Sequence, residues 1–200
     1  MFVQVIKAHT TDADAVKAAM DAWVSDLSSG AEGWLGSTGG VTEDGTFLGL
    51  ARFESEELAQ RNSDRPEQGA WWDRVSRSLS DVSFKNSTYV LPDLVGNPDE
   101  AGFVQIMQGS SNNPERAREL MSSHGAEWAA HRPDILGTMM IEHDGGDWTM
   151  AIYCTTEAEA RVGEKKEPPP EIKAEMDELM SLSNGEPSFF DLKDPWLRSR

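Results

Sequence analysis

The chain carries most of its pattern twice. Phe2-Val3-Gln4 recurs as Phe103-Val104-Gln105, 101 residues on. Carried forward without a gap, the same offset sets Met20 against Met121, Leu35-Gly36 against Leu136-Gly137, Gly45 against Gly146, Phe47 against Trp148 and Glu56 against Glu157. Identities are sparse, yet turns and apolar runs coincide. A period this long exceeds a solenoid repeat, so it predicts two tandem copies of a small domain. The boundaries read from it are a first repeat over 1–92, a linker over 93–101 rich in proline, glycine and acid, and a second repeat over 102–200.

Each copy reads the same way. "FVQVI" is a short apolar strand. "TTDADAVKAAMDAWVSDL" is a helix, with Thr11 and Asp14 spaced as a capping box and Ala15, Ala19, Trp23 and Leu27 on one face. "GWLGSTGGV" and "TFLGLARF" are strands around the turn "TEDG". "SEELAQRN" opens a second helix that resumes at "GAWWDRVSRSL", and "DVSFKNSTYV" is a last strand. In the second copy Asn113 caps a helix that starts at Pro114. The order is β-α-β-β-α-β, the ferredoxin-like arrangement, written twice. The fold class expected is therefore α+β. Helices cover one face of each antiparallel sheet, and the other face needs a cover. The second copy's sheet is the simplest cover, which would close a single-chain α+β barrel.

Charge and composition narrow the partners. The formal net charge is −17 and no cluster of Lys and Arg stands out. A polyanion rewards basic patches, so nucleic acid and anionic membrane surfaces are set aside. No apolar run approaches the roughly 20 residues of a membrane span. The opening "MFVQVIKAHTTDAD" has no basic segment before an apolar one, so it reads as no signal peptide. The one cysteine, Cys154, sits in the apolar run "WTMAIYC", which favours a buried, inert thiol. A cytoplasmic protein is the expectation. No spacing of His, Cys, Asp and Glu suggests a metal site, and no cofactor is expected.

The stretch "ARFESEELAQRNSDRPEQGAWW" carries a family resemblance: a strand ending in an aromatic, Glu-Ser-Glu-Glu opening a helix, then a break before the next turn. It resembles the antibiotic-biosynthesis-monooxygenase-like branch of the dimeric α+β barrel superfamily, and the resemblance spans nearly the whole chain in two halves. It implies a ligand held between the sheet and the helices of one unit. It also implies a cofactor-independent monooxygenase acting on a flat hydroxylated aromatic whose anion meets dioxygen. The haem-degrading members use an asparagine on strand one and a Trp/His pair on the second helix. The matching places here are Gln4 or Ile6, then Asn62 and Trp72, and the histidine is absent.

Candidate residues follow from both readings. Gln4 and Gln105 recur mid-strand among apolar neighbours. Each is either a structural hydrogen bond or, for Gln4, the floor of a pocket. Arg52 stands late in its strand, to meet a surface carboxylate or to hold an acidic substrate. Asn62, Arg65, Trp71 and Trp72 surround a helix break where such a unit opens. Arg65 either joins the pocket or pairs with Glu67 or Asp64. Adjacent tryptophans point about 100° apart on a helix, so one can pack inward while the other lines the mouth. His124 falls in an apolar helical stripe opposite Trp23 and is the candidate base. His9 and His143 are expected in solvent. At the place of the first copy's "RNSDRPEQGAWW" the second has "RVGEKKEPPPEI", whose prolines cannot be helical. The second half is therefore expected to be degenerate and the first to be the active one. The alternatives are a non-catalytic protein that binds a small hydrophobic ligand, or an interaction module anchored by an exposed Trp71 or Trp72. An internally completed barrel needs no partner chain, although further self-association stays open.

Overall fold

The computed structural model describes residues 1–94, 96–121 and 125–200; the side chains of 93, 94, 125 and 126 also lie outside the description. The chain forms two compact units. One comprises Met1–Val90 with Leu192–Arg200, and the other Leu91–Asp191.

In the first unit, β1 (Phe2–His9), β2 (Trp34–Val41), β3 (Thr46–Phe53) and β4 (Ser80–Ser87) carry the helices α1 (Ala13–Asp26), α2 (Glu56–Ser63) and α3 (Pro66–Val75). In the second, β6 (Phe103–Ser110), β7 (Ile135–Glu142), β8 (Asp147–Cys154) and β9 (Ser188–Leu192) carry α4 (Pro114–Met121), α5 (Gly125–His131), α6 (Glu157–Gly163) and α7 (Pro170–Ser181). Two strands remain: β5 (Val90–Leu94) and β10 (Trp196–Ser199). The sheets run β10-β2-β3-β1-β4 and β5-β7-β8-β6-β9. The ferredoxin-like order thus appears twice, each time with a fifth strand added beside the second.

That fifth strand revises the expected boundaries. Leu192–Arg200 belongs with the first unit rather than the second, because β10 pairs antiparallel with β2 from Trp196↔Gly39 to Ser199↔Gly36. The expected last strand of the first copy also divides: β4 stops at Ser87, and β5, which reaches into the expected linker, joins the sheet of β7.

The offset of 101 shows in the backbone. Register shifts interrupt β2–β3 between Trp34 and Gly36 and β7–β8 between Ile135 and Gly137. Gly45 and Gly146 both turn with positive φ, 85° and 84°. Each carbonyl accepts from the residue after the first strand, Thr10 and Ser111, at 2.8 Å in both units. A Cβ at either glycine would collide with that same residue's carbonyl oxygen. Ser55 and Thr156 cap α2 and α6, accepting from Leu58 N and Glu159 N. At α1 the expected Thr11/Asp14 box gives way to Asp12, which accepts from Ala15 N at 2.9 Å.

The second copy keeps its helix, against expectation. Proline is excluded from a helix interior but suits the first turn, and α7 begins at Pro170 with Pro169 as its N-cap. The triple proline marks where the helix starts. Among the described residues no helix is long and apolar enough to cross a membrane.

Candidate functional site

Alternation along β1 puts Phe2, Gln4 and Ile6 on one face of the sheet. α1, α2 and α3 lie over that face. Where the layers part, the first unit holds a cavity of about 510 Å³. Aromatic rings ring it in sequence. Trp34 meets Trp23 edge-on at 5.1 Å, Trp23 meets Trp71 at 6.4 Å, Trp71 meets Trp72 at 6.0 Å and Trp72 meets Phe84 at 5.4 Å. On the sheet side Phe47 stacks on Trp196 at 6.1 Å and 29°. Two indole nitrogens are fixed: Trp71 Nε1 donates to the Ala19 carbonyl at 2.9 Å, and Trp23 Nε1 donates to Gln68 Oε1 at 2.6 Å. Such anchoring holds the ring planes at low entropic cost.

The polar lining is mostly uncharged, made of amides and hydroxyls. Gln4 Nε2 donates to Asn86 Oδ1 across β1 and β4 at 3.2 Å. Gln68 and Asn62 also line the cavity. Its charged lining residues are Asp21, Glu56 and Arg198. Asp21 accepts from Arg198 Nη2 at 2.6 Å and from Lys17 Nζ at 3.0 Å. The Lys17 ammonium holds the Asp21 carboxyl below its ordinary value; burial pulls the other way and Arg198 adds to the lowering. Exposed Phe84, Asn86, Gln60 and Gly69 mark the mouth.

The expected site residues divide. Gln4, Asn62, Trp71 and Trp72 come together on this wall. Trp71 packs inward at 7% exposure, and Trp72 is half-buried beside exposed Phe84. Arg65 and Arg52 are not in the lining. Arg65 points behind α2, where Nη1 donates to Asn62 Oδ1 at 2.9 Å and to the Leu27 carbonyl at 3.2 Å, and Nε to Glu67 Oε1 at 3.0 Å. Arg52 Nη2 donates to the Arg198 carbonyl at 3.3 Å and Ser199 Oγ at 3.4 Å. Both are held away from the cavity by backbone carbonyls, those of Leu27 and Arg198. His124 lies outside the described residues.

Trp23, Trp34, Gln68, Trp196 and Arg198 were not foreseen as lining. Trp23 and Trp34 read as core from their spacing alone. Trp196 and Arg198 sit at the far end of the chain, and only the β10–β2 pairing brings them here.

The second unit holds a cavity of its own, about 450 Å³. Met107, Met121, Met140, Met150, Met176 and Met180 line it with Trp128 and Trp148. Trp128 Nε1 donates to Glu175 Oε1 at 3.0 Å, repeating the Trp23–Gln68 bond. The plain offset would set Trp23 against His124. The indole that makes the equivalent bond stands one helical turn later, because α5 runs on to His131. His143, expected in solvent, is half-buried and bonds Thr149 Oγ1 at 3.0 Å. Cys154 is buried, and burial first, with the nearby Asp134 carboxylate, pushes its thiol up to about 11.

No protein-family profile matches the chain, and no curated protein matches it. Solved structures do match in fold. A proposed monooxygenase from Lactobacillus acidophilus NCFM superposes with a TM-score of 0.72 at 11% identity, over 99% of each chain. Another from Fusobacterium nucleatum gives 0.75 at 9% identity, over 100% of this chain and 94% of the other. An anthrone oxidase-like protein gives 0.69 at 13% identity, over 99% and 93%. At such identities the likeness establishes a shared fold.

Proposed function

We propose that the first unit binds a flat, hydroxylated aromatic molecule and promotes its reaction with dioxygen without a cofactor. The observation that carries this is the cavity of about 510 Å³ between sheet and helices, walled by a linked series of indole rings. That volume suits a ligand of two to four fused rings. Trp34, Trp23 and Trp71 offer edges and faces to such a ligand, and Trp72 with Phe84 forms its entrance. The amides of Gln4, Asn86 and Gln68 supply hydrogen bonds that orient ring oxygens.

The chemistry needs little from the protein. An activated ring carbon, such as the CH₂ of an anthrone, loses a proton. The carbanion reduces dioxygen and combines with it as a hydroperoxide. Loss of water leaves the carbonyl, so CH₂ + O₂ becomes C=O + H₂O. A site that excludes water and stabilises the anion accelerates the first step. The fold shared with an anthrone oxidase-like protein supports this reaction class.

A second reading, binding without turnover, is favoured by the amides around Gln4: of the two lining carboxylates, Asp21 is held by Lys17 and Arg198, and Glu56 is exposed at the start of α2. One experiment separates the two. Anthrone is added to the full chain, and tryptophan quenching, oxygen uptake and anthraquinone absorbance are followed together. Trp72→Ala should weaken quenching about tenfold, as expected for loss of an aromatic contact worth about 1–1.5 kcal/mol. Met150→Ala, in the other unit, should leave quenching of the first unit's indoles unchanged. Quenching without oxygen uptake selects the binding reading; absence of quenching removes both.

A further inference from the structure

The reading above leaves the charge of the ligand open, and β10 addresses it. Trp196 and Arg198 alternate onto the same face of the sheet. The residues opposite them on β2 are Gly39 and Ser37, with Gly36 beside, so both side chains cross the sheet edge toward α1. A Cβ on Gly36 would collide with the Arg198 carbonyl and the Arg52 guanidinium. Trp196 is packed with Val16, Phe47 and Trp71, which anchors the strand. Arg198 then projects at the cavity wall and reaches Asp21.

Two cations meet one carboxylate there, and a third stands on the backbone behind. Lys17 and Arg198 share Asp21, and Arg52 lies on the Arg198 carbonyl at 3.3 Å. In a chain of net charge −17 this is a local excess of positive charge. Among the described lining residues the other acid is Glu56, exposed at the start of α2. Asp21 keeps Lys17 when Arg198 turns away, so the guanidinium can exchange partners without stranding a carboxylate. Its planar fork matches a carboxylate in two parallel hydrogen bonds.

We propose that the first cavity selects aromatic ligands bearing an anionic oxygen, and that Arg198, supplied by the last strand of the chain, is the residue that selects them. This rests on the reading of the cavity as an aromatic site. The same guanidinium would stabilise the ring anion formed ahead of dioxygen addition.

The test compares 2-naphthoate with 2-naphthamide, which share shape and differ in charge. Binding to the full chain is followed by calorimetry. The wild type should hold naphthoate about tenfold more tightly, as one charge-assisted pair provides. Arg198→Gln should abolish the preference while leaving naphthamide affinity within about twofold. Asp21→Asn, which removes the competing carboxylate, should strengthen naphthoate binding, an outcome that damage to the fold would not produce. Equal affinities in the wild type, or a preference that survives Arg198→Gln, overturn the proposal and leave the aromatic site standing. If neither probe binds, the aromatic site falls and the proposal with it.

Discussion

Replacing Arg65 by alanine separates a residue of the pocket from a residue of the scaffold. Its side chain is only 19% exposed. It ties the break between α2 and α3 to the end of α1, through Asn62 Oδ1 and the Leu27 carbonyl. Asn62 is 6% exposed, so its oxygen has little water to turn to. Stranding a buried acceptor costs about 1–3 kcal/mol. The pair with Glu67, open to solvent and screened by it, adds little. Water entering the vacated space recovers part of this, which leaves a loss of about 2 kcal/mol. Urea unfolding followed by tryptophan fluorescence suits the question. Trp23, Trp34, Trp71, Trp72 and Trp196 report on the first unit, and only Trp128 and Trp148 on the second. With a urea slope of about 2 kcal/mol/M, the midpoint should fall by roughly 1 M. Glu67→Gln should move it far less. The double change with Asn62→Ala should show a coupling of about 1 kcal/mol or more. A midpoint unchanged to within about 0.2 M, together with weakened binding of an aromatic probe, would refute this account and return Arg65 to the cavity.

Two further outcomes are expected in the second unit. Cys154, with its thiol pushed up to about 11, should resist iodoacetamide at pH 8 in the folded chain and react at once in denaturant; rapid native alkylation would contradict its burial. Asp134 binds Arg132 at 2.7 Å with both side chains largely buried. Burial raises its carboxyl, but the hydrogen bond and charge of Arg132, with a backbone hydrogen bond and Lys166, together outweigh that and leave it below the ordinary value. Its contribution is therefore complete above an unfolded value of about 3.9 and is lost as pH falls through the lower folded one. The stability gap between wild type and Asp134→Asn should hold steady from pH 7 to 5 and close below about pH 4. A gap that widens on acidification would reverse the sign of the argument.

Much of the fold was legible because its rules are local. Alternation and helical spacing placed the strands and helices of both copies, and a shared offset placed their turns. The positive-φ glycines at 45 and 145–146 and the caps at Ser55 and Thr156 are backbone requirements that leave residue-type signatures. Three things were less legible. The reach of Pro170 into α7 depends on whether proline falls at a helix's first turn or inside it, a difference of two or three residues. The placing of β10 against β2 is a pairing between residues about 160 apart, which no local pattern encodes. Arg65 and Arg52 looked available for a ligand because a sequence does not show which carbonyls stand nearby.

The two units share their frame and differ in their linings, and the differences point one way. Gln4 meets Asn86, whereas Gln105 meets Asp191, which also holds Arg161. Trp23 meets Gln68, whereas Trp128 meets Glu175. At both places a neutral amide of the first unit stands where the second unit has a carboxylate. The second lining also contains Glu142 and Asp147 together with Arg118 and Arg132. An aromatic anion entering there would find both guanidinium groups already engaged, Arg118 with Glu142 and Arg132 with Asp134, each at 2.7 Å. In the first cavity it would meet amides and Arg198, whose partner Asp21 has Lys17 as a second cation. Two copies of one gene product must keep identical cavities, because every substitution appears in both. Two copies in one chain are free of that constraint, so one lining can become rich in indoles and amides while the other becomes rich in methionine and paired charges. The frame cannot diverge in the same way: a side chain at Gly45 or Gly146 would strike a carbonyl in either unit. Divergence of this kind predicts different ligands for the two cavities, with 2-naphthoate filling one site per chain even at saturation. A stoichiometry of two, with equal affinities, would mean that the second lining does not discriminate.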